Sequence, residues 1–352
     1  MRLSELTASV SRLALVGLAK NTGKTEALAA LLRELESDGR RVGVTSVGRD
    51  GEERDVIDVR IEKPRVNLPA GSLVATTDAL LRASGLGHEL LERTGIRTPL
   101  GQVTIARMSD AGAVEVAGPS AGAEVLAVAE AMQALGAEQV LIDGAIDRRA
   151  ASSPQVADGL LMSTGAVLSE DIGEVVARTR DAVDLVRLPV VEDAAVLAAA
   201  AGAADGSAVL VGEDGAATAL APRFVLTADA GQAGRLLREH PQARWLVVDG
   251  ALPDAFLRGL PSAARRRGSE LVVVVRDSTH VFLADRGPEW YARQGVPIRA
   301  LAAIDLRAVT VNPLAPQSHR FDSAELRARL ADALQDVPVF DVLAEDYASA
   351  LA

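Results

Sequence analysis

The sequence contains no cysteine. This absence excludes disulfide bonds, thiolate-bound metals and catalysis by a thiol, and it is compatible with a reducing cytoplasm, where we expect the protein to lie. No uncharged apolar run reaches about 18 residues, so we expect no transmembrane helix. Residues Met1–Leu13 include an acid and lack a long apolar stretch, so we expect no secretory signal there.

Positive charge is also scarce. The chain has 37 basic and 48 acidic residues and a net charge of −11. This balance argues against a general nucleic-acid binder or a protein that binds anionic membranes. The one basic run, Arg265–Arg267, follows a helix-like stretch, and we interpret it as charge at the C-terminal end of a helix.

Lysine is rarer still. Of the 37 basic residues, 34 are arginine and three are lysine, namely Lys20, Lys24 and Lys63. We interpret this bias as a general pressure towards arginine, under which lysine is kept mainly where a guanidinium cannot replace it. The three lysines therefore mark candidate functional positions.

Two of the lysines lie in one glycine-containing motif. Its residues are Gly17-Leu18-Ala19-Lys20-Asn21-Thr22-Gly23-Lys24-Thr25. The motif ends in the Gly-Lys-Thr of a phosphate-binding P-loop and has one extra residue between its glycines. We expect Lys24 to reach β- and γ-phosphate oxygens, a role that suits a compact ammonium. Thr25 is the expected Mg²⁺ ligand, and Gly17, Lys20, Asn21, Thr22 and Gly23 are expected to line the nucleotide.

The flanking sequence has the order that a P-loop requires. Leu13–Val16 is predicted to be a buried strand, and Thr25–Glu36 has helical periodicity. The backbone N–H groups of the loop and the N-terminus of the helix would then face one anion. The alternative is a tight turn between strand and helix that binds nothing.

Acidic residues supply candidates for the metal. Asp143 ends the apolar strand 139–144 and is a Walker-B-like candidate, or else a turn aspartate. Asp50 lies in the acidic segment 48–55, between Gly48 and Gly51. It could hold Mg²⁺ or orient a water, or the segment could be a solvated loop. Lys24, Asp50 and Asp143 are therefore the candidate catalytic residues.

The third lysine, Lys63, precedes Pro64, which stiffens its position. It could meet a substrate carboxylate or a phosphate, or it could be a surface lysine. We carry it as a candidate ligand-binding residue.

Alternating strands and helices predict an α/β fold with a mainly parallel sheet. We expect a P-loop domain over residues 1–170, a helical bridge over 171–205 and a second α/β domain over 206–352. Local patterns also predict a helix over Ala79–Leu91 and a strand over 224–227. The segment 246–252 resembles 140–146, so the second half is either a repeat that has lost phosphate binding or a convergent strand and turn.

The region 13–165 resembles P-loop proteins of the dethiobiotin synthetase and MobB-like group. The residues that carry this resemblance are the long loop, Lys63-Pro64 and Asp143-Gly144-Ala145. Two features depart from that group: Lys20 lies three residues after Gly17 instead of directly after it, and Asp143 stands where these synthetases typically have Glu.

A longer series of motifs resembles the KamB-type reactivase subunits of lysine 5,6-aminomutase. It adds Gly48–Glu52, Ala75-Thr76, Gly118–Ser120, Thr164–Ala166, Val311–Pro313 and Pro338–Val342. This resemblance implies a factor that uses ATP and Mg²⁺ to eject damaged cobalamin from an adenosylcobalamin-dependent aminomutase. It also implies a second, MutS-like ATPase subunit as partner. Whether the chain forms a homodimer is left open.

Two other function classes fit the same motifs. One is a small-molecule ligase in which ATP activates a carboxylate held by Lys63. The other is a nucleotide-gated binding module without meaningful turnover. ATP hydrolysis that a protein partner stimulates would indicate a reactivating factor. ATP hydrolysis that requires a small carboxylate would indicate a ligase.

Overall fold

The computed structural model describes residues 1–48, 65–145, 152–316, 318–344 and 347. Within these ranges the chain is α/β, with a large and mainly parallel sheet, as the sequence predicts. The strands are β1 (Arg12–Gly17), β2 (Val42–Ser46), β3 (Val66–Leu68), β4 (Leu73–Thr77), β5 (His88–Thr98), β6 (Gly101–Met108), β7 (Gly112–Val114), β8 (Gln139–Ala145), β9 (Gly159–Gly165), β10 (Ala208–Gly212), β11 (Ala217–Ala219), β12 (Ala243–Val248), β13 (Leu252–Pro253), β14 (Val272–Val275), β15 (Val281–Phe282), β16 (Ile298–Ala300), β17 (Leu306–Asn312) and β18 (Val339–Phe340).

Helices alternate with these strands along most of the chain. They are α1 (Leu3–Leu6), α2 (Lys24–Ser37), α3 (Asp78–Ser84), α4 (Gly122–Ala134), α5 (Ile172–Val186), α6 (Ala194–Gly202), α7 (Phe224–Thr227), α8 (Ala230–Glu239), α9 (Asp254–Leu257), α10 (Leu260–Arg267), α11 (Pro288–Arg293) and α12 (Ser323–Leu334). Among the helices of the described ranges, none combines the length and the apolar character that crossing a membrane requires.

The chain divides into two compact units. Unit 1 comprises residues 1–179 and 305–352, and unit 2 comprises residues 180–304. This division differs from the predicted domain boundaries at 170 and 205. Residues 305–352, which we assigned to the second domain, belong to unit 1 because β17 pairs with β9. The segment 171–205, predicted to be a helical bridge, contains helices α5 and α6, and the division between the units falls within α5.

Unit 1 contains a nine-stranded sheet in the order β18-β17-β9-β1-β8-β2-β4-β6-β5. Strands β18 to β4 in this order are parallel, and β6 is antiparallel to both of its neighbours. A hydrophobic core forms where leucines of α2 pack with apolar residues of β1, β8 and β9; Leu28, Leu31 and Leu32 are each no more than 1% exposed. Because β1, β8, β9 and β17 run in one direction, their carboxyl ends lie at one edge of the sheet.

Unit 2 contains a five-stranded sheet in the order β11-β10-β12-β14-β16. Strands β12, β14 and β16 are parallel, whereas β10 is antiparallel to β12. Along β12, Leu246 and Val248 pack into one hydrophobic cluster and Val247 into another, so apolar residues cover both faces of the sheet. Strand β12 overlaps the segment 246–252, whose sequence resembles segment 140–146 of β8. Strand β8, however, lies between two parallel neighbours, whereas β12 has one antiparallel neighbour, β10. The topology therefore gives no support to an internal repeat.

Two local predictions are wrong. The predicted helix over Ala79–Leu91 ends at Ser84, because Gly85 adopts a left-handed conformation with φ of 70° and the chain enters β5 at His88. The predicted strand over 224–227 is the short helix α7. In both segments the observed secondary structure is not encoded in the local pattern of apolar residues.

The division into units can be tested by dissection. We expect a fragment of residues 1–179 to fail to unfold cooperatively, because β9 loses its partner β17 and the core loses Ala308 and Val342. Joining 1–179 to 305–352 through a flexible linker should restore a cooperative transition in urea. Cooperative unfolding of 1–179 alone would contradict the assignment of residues 305–352 to unit 1.

Candidate functional site

The loop between β1 and α2 lies at the carboxyl edge of the large sheet. Strand β1 ends at Gly17, in register with Ala145 of β8 on one side and Ser163 of β9 on the other. Helix α2 begins at Lys24. The predicted order of strand, loop and helix is thus present, and the loop emerges from the middle of the sheet beside the ends of two parallel strands.

The loop folds back over its own first residue. The Thr22 hydroxyl is buried and donates to the Ala19 carbonyl at 3.0 Å. A Cβ atom on Gly17 would lie 2.5 Å from the Thr22 Oγ1 atom, so no side chain fits there without moving the loop. Asn21 and Gly23 have φ values of 66° and 86°, a left-handed conformation that Asn and Gly adopt more readily than other residues.

Neighbouring strands hold the loop at two points. The Leu18 N–H donates to the Ser163 carbonyl at 2.9 Å, near the end of β9. The Asn312 side-chain amide, at the end of β17, donates to the Asn21 carbonyl at 2.9 Å. Left-handed residues such as Asn21 and Gly23 are common in backbone turns that direct N–H groups towards one anion.

Lys24 occupies the junction of loop, helix and sheet. Its Nζ atom lies 2.8 Å from the Asp143 Oδ1 atom and donates to the Gly144 carbonyl at 2.8 Å. The two charged side chains are only 16% and 22% exposed. Asp143 lies on β8 in register with Leu15 of β1 and Ser46 of β2. The sheet therefore brings together two charges, Lys24 and Asp143, that are far apart in the sequence.

The N-terminus of α2 adds a second source of positive potential. Its N-cap is Gly23, which has no side chain that could accept a hydrogen bond from the first turn. Uncapped N–H groups and the dipole of a 14-residue helix favour an anion at this end. Thr25 lies in this first turn and is partly exposed, while Lys20 and Asn21 lie exposed on the loop.

The sequence predicts two further residues for the site. Asp50 and Lys63 both lie outside the described residues. The beginning of the acidic segment is placed, because the Val47 N–H donates to the Asp143 carbonyl at 2.9 Å and the Gly48 N–H donates to the Pro119 carbonyl at 2.8 Å. The acidic segment therefore begins directly after Val47, whose backbone N–H is bonded to the Asp143 carbonyl.

Asp249 is the counterpart of Asp143 in the segment 246–252, whose sequence resembles 140–146, but it has a different environment. It forms an ion pair with Arg276 in unit 2 and follows the end of β12. No phosphate-loop motif precedes this strand in the sequence. The structural-turn interpretation of Asp249 fits this pairing.

The described residues contain no group of three His, Asp or Glu side chains placed to hold a metal ion. A site made of Thr25 and Asp143 has too few protein ligands to bind a divalent cation on its own. It does match the pattern of Mg²⁺, which usually keeps several waters and takes one or two protein ligands together with phosphate oxygens.

Sequence reasoning missed some of the residues that shape the loop. The Ser163 carbonyl and the Gly144 carbonyl act through the backbone, so no side-chain motif could reveal them. Asn312 belongs to the sequence motif Val311–Pro313, yet its bond to the loop depends on β17 lying beside β9.

Comparison of the chain with models of known protein families, with curated proteins and with solved structures found no match. The interpretation of this site therefore depends on its own geometry: a lysine at a helix N-terminus, an acid at the end of the adjacent strand, and a loop fixed by two further strands.

The Lys24–Asp143 pair gives a prediction for the ligand-free protein. Because both side chains are more than three-quarters buried, Lys24→Met and Asp143→Asn should each lower the free energy of unfolding. The double variant should lose less than the sum, with a coupling energy of about 1 kcal/mol, in a double-mutant cycle measured by urea denaturation. The matched cycle of Lys24→Met with Asp249→Asn should show no coupling, because Asp249 pairs with Arg276. Equal coupling in both cycles would contradict a specific pair.

Proposed function

We propose that this chain binds ATP together with Mg²⁺ at the loop Gly17–Thr25 and is a P-loop NTP hydrolase. The observation that carries the proposal is the position of Lys24, whose ammonium lies at the start of α2 between the Asp143 carboxylate and the Gly144 carbonyl. A cation held by one carboxylate, at a helix end that also attracts anions, is placed to exchange that carboxylate for a phosphate oxygen.

Each residue of the loop has a role in this proposal. Lys24 meets the β- and γ-phosphate oxygens, and backbone N–H groups of the loop after Leu18, whose own N–H is bonded to the Ser163 carbonyl, surround the phosphates. Lys20, Asn21 and Thr22 shape or line the loop, with Thr22 fixing it internally through the Ala19 carbonyl. Phosphate must compete with Asp143 for Lys24. Anions that bind the ammonium only weakly should therefore not displace the Asp143 carboxylate.

Thr25 and Asp143 are the proposed Mg²⁺ ligands. When bound, Mg²⁺ would neutralise charge that develops on the phosphates. With both bound, Asp143 would face the metal and Lys24 would face phosphate, so that each partner of the ion pair would keep a charge of opposite sign. Asp50 is proposed as a further metal ligand or as the residue that orients a water, and Lys63 as a ligand-binding residue.

We further propose that the nucleotide cycle acts on a partner protein. The motif series described above favours a reactivating factor for an adenosylcobalamin-dependent aminomutase, working with a second, MutS-like ATPase subunit in the cytoplasm. The late members of that series, Val311–Pro313 and Pro338–Val342, include the ends of β17 and β18, which belong to the same sheet as β1, the strand that precedes the loop. A second α/β domain within residues 180–304 is the proposed additional module.

Nucleotide binding is tested by removing the ammonium. Lys24→Ala should lower ATP affinity at least about tenfold in calorimetric titrations, because charge-assisted contacts to phosphate are worth roughly 1.5–3 kcal/mol. Thr25→Ala should weaken binding in the presence of Mg²⁺ more than in its absence. Asp143→Ala should also reduce the benefit from Mg²⁺.

Asp249→Ala is the matched control, since it removes an aspartate that also follows an apolar strand and leads into Gly-Ala. It should leave ATP affinity and the effect of Mg²⁺ unchanged. Unchanged ATP affinity in Lys24→Ala would refute nucleotide binding at this loop. A Mg²⁺ effect that depends on Asp249 and not on Asp143 would transfer the metal site to unit 2.

The partner is tested by recovery of aminomutase activity after cobalamin damage. We expect recovery to require this protein, ATP, Mg²⁺ and the second subunit, and we expect slow ATP hydrolysis to accelerate when the inactivated aminomutase is added. Asp50→Asn should uncouple hydrolysis from this stimulation while leaving nucleotide binding largely intact. Hydrolysis that instead requires a small carboxylate, with no recovery of aminomutase activity, would favour the ligase alternative.

A further inference from the structure

Asn312 reaches the phosphate loop from a strand that lies 291 positions further along the chain than Asn21. Its Nδ2 atom donates to the Asn21 carbonyl at 2.9 Å, and its Oδ1 atom accepts from the Leu314 N–H at 3.1 Å. The side chain therefore uses one end to fix its own turn and the other end to fix the loop. Asn21 is the non-glycine residue of the loop in the left-handed conformation, so this bond restrains the residue where the chain reverses.

Two glycines leave the space that Asn312 occupies. A Cβ atom on Gly23 would lie 3.0 Å from the Asn312 Cβ atom, and a Cβ atom on Gly165 would lie 2.3 Å from the Asn312 carbonyl oxygen. Gly165 and Asn312 are register partners at the ends of β9 and β17. The close packing of three backbone segments thus places the Asn312 amide against the loop.

We propose that Asn312 is a positioning residue for the polyphosphate group of the ligand. This inference rests on the proposed function, because it assumes that the loop Gly17–Thr25 binds phosphate. The Asn312 amide holds the Asn21 carbonyl and keeps the adjacent N–H groups in their binding arrangement. Phosphate then meets a loop that is already ordered and does not have to supply the free energy of ordering it.

A different role for Asn312 makes a different prediction. An asparagine at the end of a strand could read a nucleobase through its amide. In the structure, however, the Nδ2 atom bonds to the loop and the Oδ1 atom to the Leu314 N–H, so each end of the amide already has a protein partner. A positioning residue affects any ligand that carries the polyphosphate, whereas a base-reading residue affects only ligands that carry the base.

The test compares ATP with inorganic tripolyphosphate, both with Mg²⁺, in calorimetric titrations of the full chain. Asn312→Ala should weaken both ligands by the same factor, between about twofold and tenfold, the range that one neutral hydrogen bond spans. Gly165→Ala should weaken both as well, because it displaces Asn312 without altering its amide. If Gly165→Ala does not fold, the comparison of ligands in Asn312→Ala decides the matter alone.

Thr310→Val is the matched control on the same strand. The Thr310 hydroxyl is buried and hydrogen-bonded to the Ser163 hydroxyl at 2.8 Å, so its loss should lower thermal stability. It should leave the affinity for both ligands unchanged, because Thr310 contacts the Ser163 hydroxyl, whereas the loop is held by the Ser163 carbonyl. Loss of affinity in Thr310→Val equal to that in Asn312→Ala would overturn the inference, since general damage to β17 would then explain both.

Three further results test this inference and separate it from the function on which it rests. If Asn312→Ala weakens ATP and not tripolyphosphate, Asn312 contacts the nucleoside and the positioning role is wrong. If Lys24→Ala weakens both ligands while Asn312→Ala weakens neither, the positioning role is wrong and phosphate binding at the loop stands. If Lys24→Ala weakens neither, phosphate binding at the loop fails and the positioning role fails with it.

Discussion

The parallel pairing of β1 with β8 and β9 is the constraint on which the candidate site depends. Parallel strands end at one edge of a sheet, so the loop after β1 necessarily emerges beside the carboxyl ends of its neighbours. The register then decides which residues meet there: Gly17 lies opposite Ala145 and Ser163, and Leu15 opposite Asp143. A shift of one position would turn Asp143 to the other face of the sheet and leave Lys24 without its carboxylate.

The Lys24–Asp143 pair has a cost as well as a benefit. Two charges that are mostly removed from water lose hydration, and their mutual attraction offsets that loss only while both are present. Such a pair is a modest source of stability but an effective way to keep a cation and an anion ready at one point. Under the proposed function, a ligand that brings both phosphate and metal would replace each partner in a single event, whereas a ligand that brings only one of them would leave the other charge uncompensated.

Sequence patterns were sufficient for the local part of this site and insufficient for the rest. The run Leu13–Val16, the helical periodicity after Thr25 and the apolar strand before Asp143 each lie within a few residues, and all three elements are present. The pairing of β17 with β9 joins segments that all of unit 2 separates, and no local pattern reports it, so the domain boundaries and the contact of Asn312 with the loop could not be predicted. The helix predicted through Leu91 shows the same limit, because the exit at Gly85 and the pairing of β5 with β6 override helical propensity.

The insertion of unit 2 between β9 and β17 has a consequence for biosynthesis. Strand β9, Gly159–Gly165, is buried along its whole length and contains no charged residue. As the chain leaves the ribosome, this strand has β1 on one side, and its other edge must wait until residues 180–304 have been made and β17 follows. An uncharged, apolar strand edge is the kind of surface that pairs with other chains. The nascent protein therefore carries an unpaired, aggregation-prone strand edge during that interval, and the interval ends only when β17 has been made and pairs with β9.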